Sequence, residues 1–175
     1  MELYLKLENE LLTDYCKYLF PNNNLEGPHI VKGSHQIGAL LIAHCRVSER
    51  PVPVPDGDHV LKIELPVNNT SQSLNNKFLY YTQGDHLQLN AAIKACFDID
   101  FYTYYNKAEG IGLSKKQIIE AFITSRKLFS TDPSDALSKR VYRRETSKRE
   151  AATKLLVRRV YYLNEALDTT GIVKP

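Results

Sequence analysis

The chain has 175 residues, 43% of them hydrophobic and 25% charged, with a formal net charge of +3. That length suits one domain, or one domain with a small helical extension, and the composition supports a buried core rather than disorder. No apolar run approaches the roughly 18 residues of a membrane span; the longest covers residues 37–45 and contains Gly38 and His44.

The leucines of the first residues are interrupted by Glu2, Glu8 and Glu10. A secretory signal needs a basic start and an unbroken apolar centre, so none is predicted. The cysteines, Cys16, Cys45 and Cys96, are far apart and form no CxxC pair. Reduced, buried thiols in a cytoplasmic protein are the expectation.

Residues 1–7 alternate Leu3, Leu5 and Leu7 with polar positions, which predicts a strand. Leu7, Leu11, Leu12, Tyr15 and Leu19 then fall at helical spacing up to Phe20-Pro21. Residues 22–27 read as a loop, and residues 29–32 as a short strand. Ser34 is a plausible N-cap for a helix carrying Ile37, Leu40, Leu41, His44 and Cys45, with a strand over residues 39–47 as the alternative. Pro51, Pro53 and Pro55 forbid regular pairing and predict an extended connection. Asp56-Gly57 is a turn signal. Val60, Ile63 and Leu65 with interspersed Lys62 and Glu64 read as a strand closed by Pro66. Residues 67–76 read as loop and residues 77–82 as a further strand.

From Gly84 the periodicity becomes helical. Asp85 is read as the cap of a helix to about Phe97, with Leu89, Ala92, Ile93, Cys96 and Phe97 on its apolar face. Asp100 is read as the start of a short helix carrying Phe101, Tyr104 and Tyr105, broken at Gly110-Ile111-Gly112. Ser114 and Gln117 form a capping-box pattern ahead of a helix to about Leu128. Asp132-Pro133 starts another, running to about Glu145. Ser147 and Glu150 form a second capping-box pattern, opening a last helix whose core face uses Ala152, Leu156, Val160, Leu163 and Leu167. The predicted fold is α+β. Residues 1–82 form a small mixed α/β region of two or three short strands and two helices. Residues 85–168 form a helical, basic region: a bundle with a helix-turn-helix-like pair.

Charge is unevenly placed. Residues 111–175 hold 14 Lys and Arg against 7 Asp and Glu, whereas residues 1–110 hold 9 against 13. An excess of +7 in one part and −4 in the other points to an anionic partner for the basic part, most often nucleic acid. Lys139, Arg140, Arg143 and Arg144 fall within an arc of about 140° on a helix from Pro133, with Leu137 and Val141 beside it to dock the helix. The predicted nucleic-acid contacts are Lys115, Lys116, Lys139, Arg140, Arg143, Arg144, Lys148, Arg149 and Arg158. Arg159 sits by angle between Leu155 and Leu163, inside the apolar stripe, where it must snorkel, pair or meet a partner.

Other chemistries find less support. The tyrosines cluster as Tyr80-Tyr81, Tyr102/Tyr104/Tyr105 and Tyr161-Tyr162 and could stack bases, but they suit domain edges better. His29, His35, His44, His59 and His86 lack paired metal-ligand spacing. The Asp56/Asp58 and Asp98/Asp100 pairs could hold a metal for nuclease chemistry, yet two such pairs arise readily by chance. Gly110-Ile-Gly112 before Lys115 and Lys116 is a weak anion-site pattern. No GxSxG, Walker or HExxH motif occurs. The expectation is therefore a cytoplasmic accessory or regulatory protein binding nucleic acid, with duplex DNA favoured. It would use phosphate contacts and no enzyme activity, cofactor, metal or membrane. A further protein partner or self-association is compatible with it. The alternative is a structural or adaptor protein docking on an acidic partner or assembling with itself.

Overall fold

The computed structural model describes residues 1–22, 27–66, 77–129 and 132–170, with side chains up to Arg159. The fold is α+β. It has two compact units, Met1–Pro133 and Ser134–Pro175.

The first unit begins with strand β1 (Glu2–Lys6) and helix α1 (Glu10–Leu19). Strand β2 (His29–Ile30), helix α2 (Gln36–His44), β3 (Arg46–Ser48), β4 (Val60–Glu64) and β5 (Phe78–Tyr80) follow. Two long helices, α3 (Gln83–Gly110) and α4 (Lys115–Arg126), complete it. β4 is the centre of a three-stranded sheet, antiparallel to β1 and parallel to β2. Its register sets Leu3 against Ile63 and Leu5 against Leu61, and all four are buried. The two-residue alternation seen in the sequence is thus the inward face of this sheet. β3 and β5 pair antiparallel as a separate ribbon, Val47 opposite Leu79.

The helical reading of this segment holds as α2 to His44; the alternative strand over residues 39–47 does not, since only its end is extended, as β3 from Arg46. Its N-cap is His35, not Ser34, because the His35 Nδ1 accepts the Ile37 N–H at 3.2 Å. Gly38 is required there. A Cβ would stand 2.0 Å from the Lys32 carbonyl oxygen.

α3 corrects two expectations. Its cap is Thr82, and Asp85 is the third residue of the helix. The Thr82 Oγ1 accepts the Asp85 N–H at 3.2 Å while the Asp85 Oδ2 accepts the Thr82 N–H at 2.9 Å. This is a reciprocal capping box. Nor does the helix break near Asp98. It runs 28 residues without interruption. Its buried residues Leu89, Ile93, Phe97, Phe101 and Tyr105 are four apart. Spacing of four advances about 40° per step around a helix, so the stripe winds and can meet more than one neighbour. α1, α2 and α4 all pack on α3. The compact unit therefore takes in the helices after Gly84 together with the sheets, a grouping different from a division at that residue.

Phe97 is the centre of this packing. It is fully buried, edge-on to Tyr15 at 5.0 Å and to Phe122 at 5.9 Å, and stacked with Phe101 at 6.4 Å. It joins α1, α3 and α4. Near it, Arg126 donates to both oxygens of Asp100 at 2.8 and 2.9 Å and lies over the rings of Tyr18, Phe122 and Tyr104.

α5 (Pro133–Thr170) belongs to the second unit, whose described residues are this one helix. It replaces the two helices expected on either side of residues 145–147. It is also far longer than the short second member of a helix-turn-helix pair. The stretch contains neither Gly nor Pro after Pro133. Its mid-helix hydroxyls bond back to their own helix rather than capping a new one, Thr146 to the Tyr142 carbonyl at 3.0 Å and Thr153 to that of Arg149 at 2.9 Å. The predicted loop at residues 67–76 lies outside the described residues.

Truncating Phe97 to Ala should cost about 3–5 kcal/mol of unfolding free energy, because a ring shared by three helices leaves a cavity between them. Urea denaturation checks this. A change below about 1 kcal/mol would show that the aromatic cluster does not hold α1, α3 and α4 together.

Candidate nucleic-acid interface

The 38 residues of α5 give a rod about 57 Å long at 1.5 Å per residue. Every residue from 147 to 159 is exposed. Within that span stand Lys148, Arg149, Lys154, Arg158 and Arg159. One to two turns earlier, Lys139 and Arg143 are exposed, and Arg140 and Arg144 half-buried. At 100° per residue these bases, Arg149 excepted, fall within an arc of about 200°, and Arg149 faces the other way. Lys139 pairs with Asp135 one turn back, so part of its charge is met within the helix. The helix thus carries a long, mainly basic face along much of its length, with Glu150 the one acid inside the arc between residues 139 and 159.

Seven of the predicted contacts, Lys139, Arg140, Arg143, Arg144, Lys148, Arg149 and Arg158, stand on this helix. Lys115 and Lys116 do not. They occupy the exposed first turn of α4 in the other unit, with Lys116 3.9 Å from Glu120. Two further bases share the arc of α5 without being among the expected contacts, Lys154 and Arg159. The sequence pattern assigns Arg159 to an apolar core face. In the structure Ala152 is exposed, as are Leu155, Leu156 and Val157 at 55%, 59% and 65%. That face is not core where it is described. The angle of Arg159, beside that of Lys148, is the signal that places it among the bases. The side chains of Val160, Leu163 and Leu167, like the Tyr161-Tyr162 pair, lie outside the described residues.

Several of the remaining candidates are occupied by structural work. Asp85 is buried and accepts from Arg46 Nε at 2.7 Å, from His44 Nδ1 at 3.2 Å and from the Thr82 hydroxyl at 2.6 Å. Hydrogen bonds from Arg46 and then Thr82 hold its carboxyl well below the usual carboxylate range. Asp100 is taken by Arg126. The Asp100 bond pushes the Arg126 guanidinium above its ordinary value. His29 meets the Phe20 carbonyl at 2.6 Å, and His86 accepts the Lys6 N–H at 3.3 Å. Burial lowers the His86 pKa. Burial pushes the Cys16 thiol up to about 12 and that of Cys45 to about 11. Tyr81 is buried and donates to the Leu41 carbonyl, and Tyr104 packs edge-on to Phe122. Tyr81 therefore has no free face for stacking bases, and Tyr104 is half-buried. Among the described residues no group of three or more His, Cys, Asp or Glu is placed to hold a metal, and no helix is long and apolar enough to cross a membrane.

Comparison with known protein families, with curated proteins and with solved structures finds no match to this chain.

The Asp85 cluster makes a pH prediction. A carboxyl whose folded pKa lies below its unfolded value contributes stability above the unfolded pKa and loses it as pH falls toward the folded one. Wild type should therefore lose stability steeply below about pH 4, where free carboxylates protonate. Asp85→Asn should be less stable at neutral pH and lose less on acidification. Parallel pH profiles of melting temperature for the two proteins would rule the cluster out as a source of acid sensitivity.

Proposed function

We propose that this protein is a non-catalytic nucleic-acid-binding factor of the accessory or regulatory kind, whose α5 lays its basic face along phosphates, with duplex DNA as the favoured target. The observation that carries the reading is the exposure of Lys148, Arg149, Lys154, Arg158 and Arg159 on one continuous helix. A backbone of regularly spaced phosphates is the polyanion such a rod fits. The spacing along duplex DNA is one charge per about 1.7 Å of axis, so a helix of this length spans many phosphates. Contacts to phosphates give affinity and position without reading sequence.

The acidic excess of residues 1–110 leaves the first unit poorly suited to the same partner. It serves the reading as a body that carries the helix. An adaptor role, with α5 docked on an acidic protein, is the competing reading. The exposed Leu155, Leu156 and Val157 favour it, because a helix contact would cover them.

Changing Arg143, Lys148 and Arg158 together to Ala should weaken duplex binding and flatten its salt dependence, by about 0.9 in the slope of log K against log salt for each phosphate no longer neutralised. Fluorescence anisotropy across a salt series measures both. An unchanged slope, with wild type binding, would remove these bases from the interface.

A further inference from the structure

A second feature, in the first unit, is independent of α5. Between β3 and β4 the chain crosses residues 49–59 without strand or helix. Connections in compact domains are most often about 4–6 residues long, so this one is twice the usual length. It is also ordered by its own covalent chemistry. Pro51, Pro53 and Pro55 fix their φ angles near about −65°, and each of Arg50, Val52 and Val54, preceding a proline, is pushed out of the helical region. Residues 50–55 are thereby held close to a polyproline II conformation, which has no internal hydrogen bonds.

The end at β3 is pinned. The Ser48 hydroxyl donates to the Arg50 carbonyl at 2.8 Å and accepts the Arg50 N–H at 3.1 Å. At the other end Gly57, with φ +136°, makes the turn toward β4. In between, the segment is open to water as far as Val54, while Pro55 is half-buried. Residues 49–54 are all exposed, with Val52 at 36% and Val54 at 51%. Among the described residues, the N–H groups of Val52 and Val54 make no hydrogen bond within the chain, nor does the Arg50 guanidinium have an ion-pair partner. A connector needs the prolines for stiffness, but it does not need valines between them in water.

We infer that residues 50–55, Arg-Pro-Val-Pro-Val-Pro, are a docking segment for a protein partner whose groove is lined by aromatic rings and carries a carboxylate at the Arg50 end. The threefold repeat of polyproline II places Pro51 with Val54 and Val52 with Pro55 along two adjacent ridges. Aromatic grooves take such ridges, and their Tyr and Trp donors bond the carbonyls the segment leaves open. Because the segment is already extended and pinned, docking loses little chain entropy. Charge sets the direction. Arg50 precedes the prolines, with the charge of the adjacent Glu49 met by Lys77 at 3.8 Å, while Asp56 and Asp58 follow them.

The test uses the full chain and three isolated polyproline-reading domains as probes: an SH3 domain with an acidic pocket, a WW domain and an EVH1 domain. Binding is followed by tryptophan fluorescence of the probe, since this chain has no tryptophan. At least one probe should bind wild type. Val52→Glu with Val54→Glu, on exposed side chains that leave the melting temperature unchanged, should weaken binding about tenfold or more. Arg50→Ala should weaken it for the acidic-pocket probe. The same variants should leave nucleic-acid binding untouched, which keeps this inference separate from the role of α5. Failure of all three probes to bind wild type at up to about 1 mM, or binding that the valine variants do not alter, would overturn it.

Discussion

The winding buried stripe of α3 is the constraint on which the first unit depends. Leu89, Ile93, Phe97, Phe101 and Tyr105 are all buried on one helix. Their spacing carries the stripe partly around the axis rather than along a single side. A helix with a straight stripe could bury one neighbour. This one packs with α2, with α1 and with α4. Phe97 and Phe101 both meet Phe122 of α4, and Phe97 also meets Tyr15 of α1. The start of the helix is fixed separately, by the Asp85 carboxylate, which gathers Thr82, Arg46 and His44. Removing either the stripe or that carboxylate would affect several elements together.

The same stripe explains what is legible in the sequence and what is not. Strand β1 alternates strictly, so its inward leucines are visible as a pattern of two; in β4 the adjacent Val60 and Leu61 blur the pattern, and the inward residue is Leu61 rather than Val60. Helix α4 carries a Ser114–Gln117 capping box that forms as the residues suggest. By contrast, periodicity divides α3 near Asp100, because a fixed apolar face runs out where a winding stripe continues. The true cap is signalled by Thr82 followed three residues later by Asp85, an acid in the usual Glu position, and Asp85 taken alone hides it. The Asp100–Arg126 and Asp85–Arg46 pairs join residues 26 and 39 positions apart. Such pairing depends on the packed fold, and no local pattern encodes it.

For the candidate interface the legible part is the charge itself, since a count of bases needs no coordinates. Its arrangement is not legible. Ser147 and Glu150 imitate a helix start, and only the back-bonded Thr146 and the absence of Gly or Pro show why the helix passes through them. Continuity changes the physical picture. Two short basic helices would make two patches, whereas one helix makes a rod with its bases in register. Residues 147–159 are exposed on every face of the helix. The apolar residues with core-like spacing there stand among the bases, which brings Arg159 onto the basic face.

Binding of phosphate backbones by α5 is the step from which the proposed role follows. The most direct measurement is the binding of the full chain to duplex DNA, single-stranded DNA, RNA and an acidic polypeptide of equal charge, each over a range of salt. The account predicts tight binding to the duplex, a steep linear fall of log K with log salt, and weaker binding to the acidic polypeptide. Binding to the polypeptide as tight as to any nucleic acid, or no nucleic-acid binding at low salt, would contradict it.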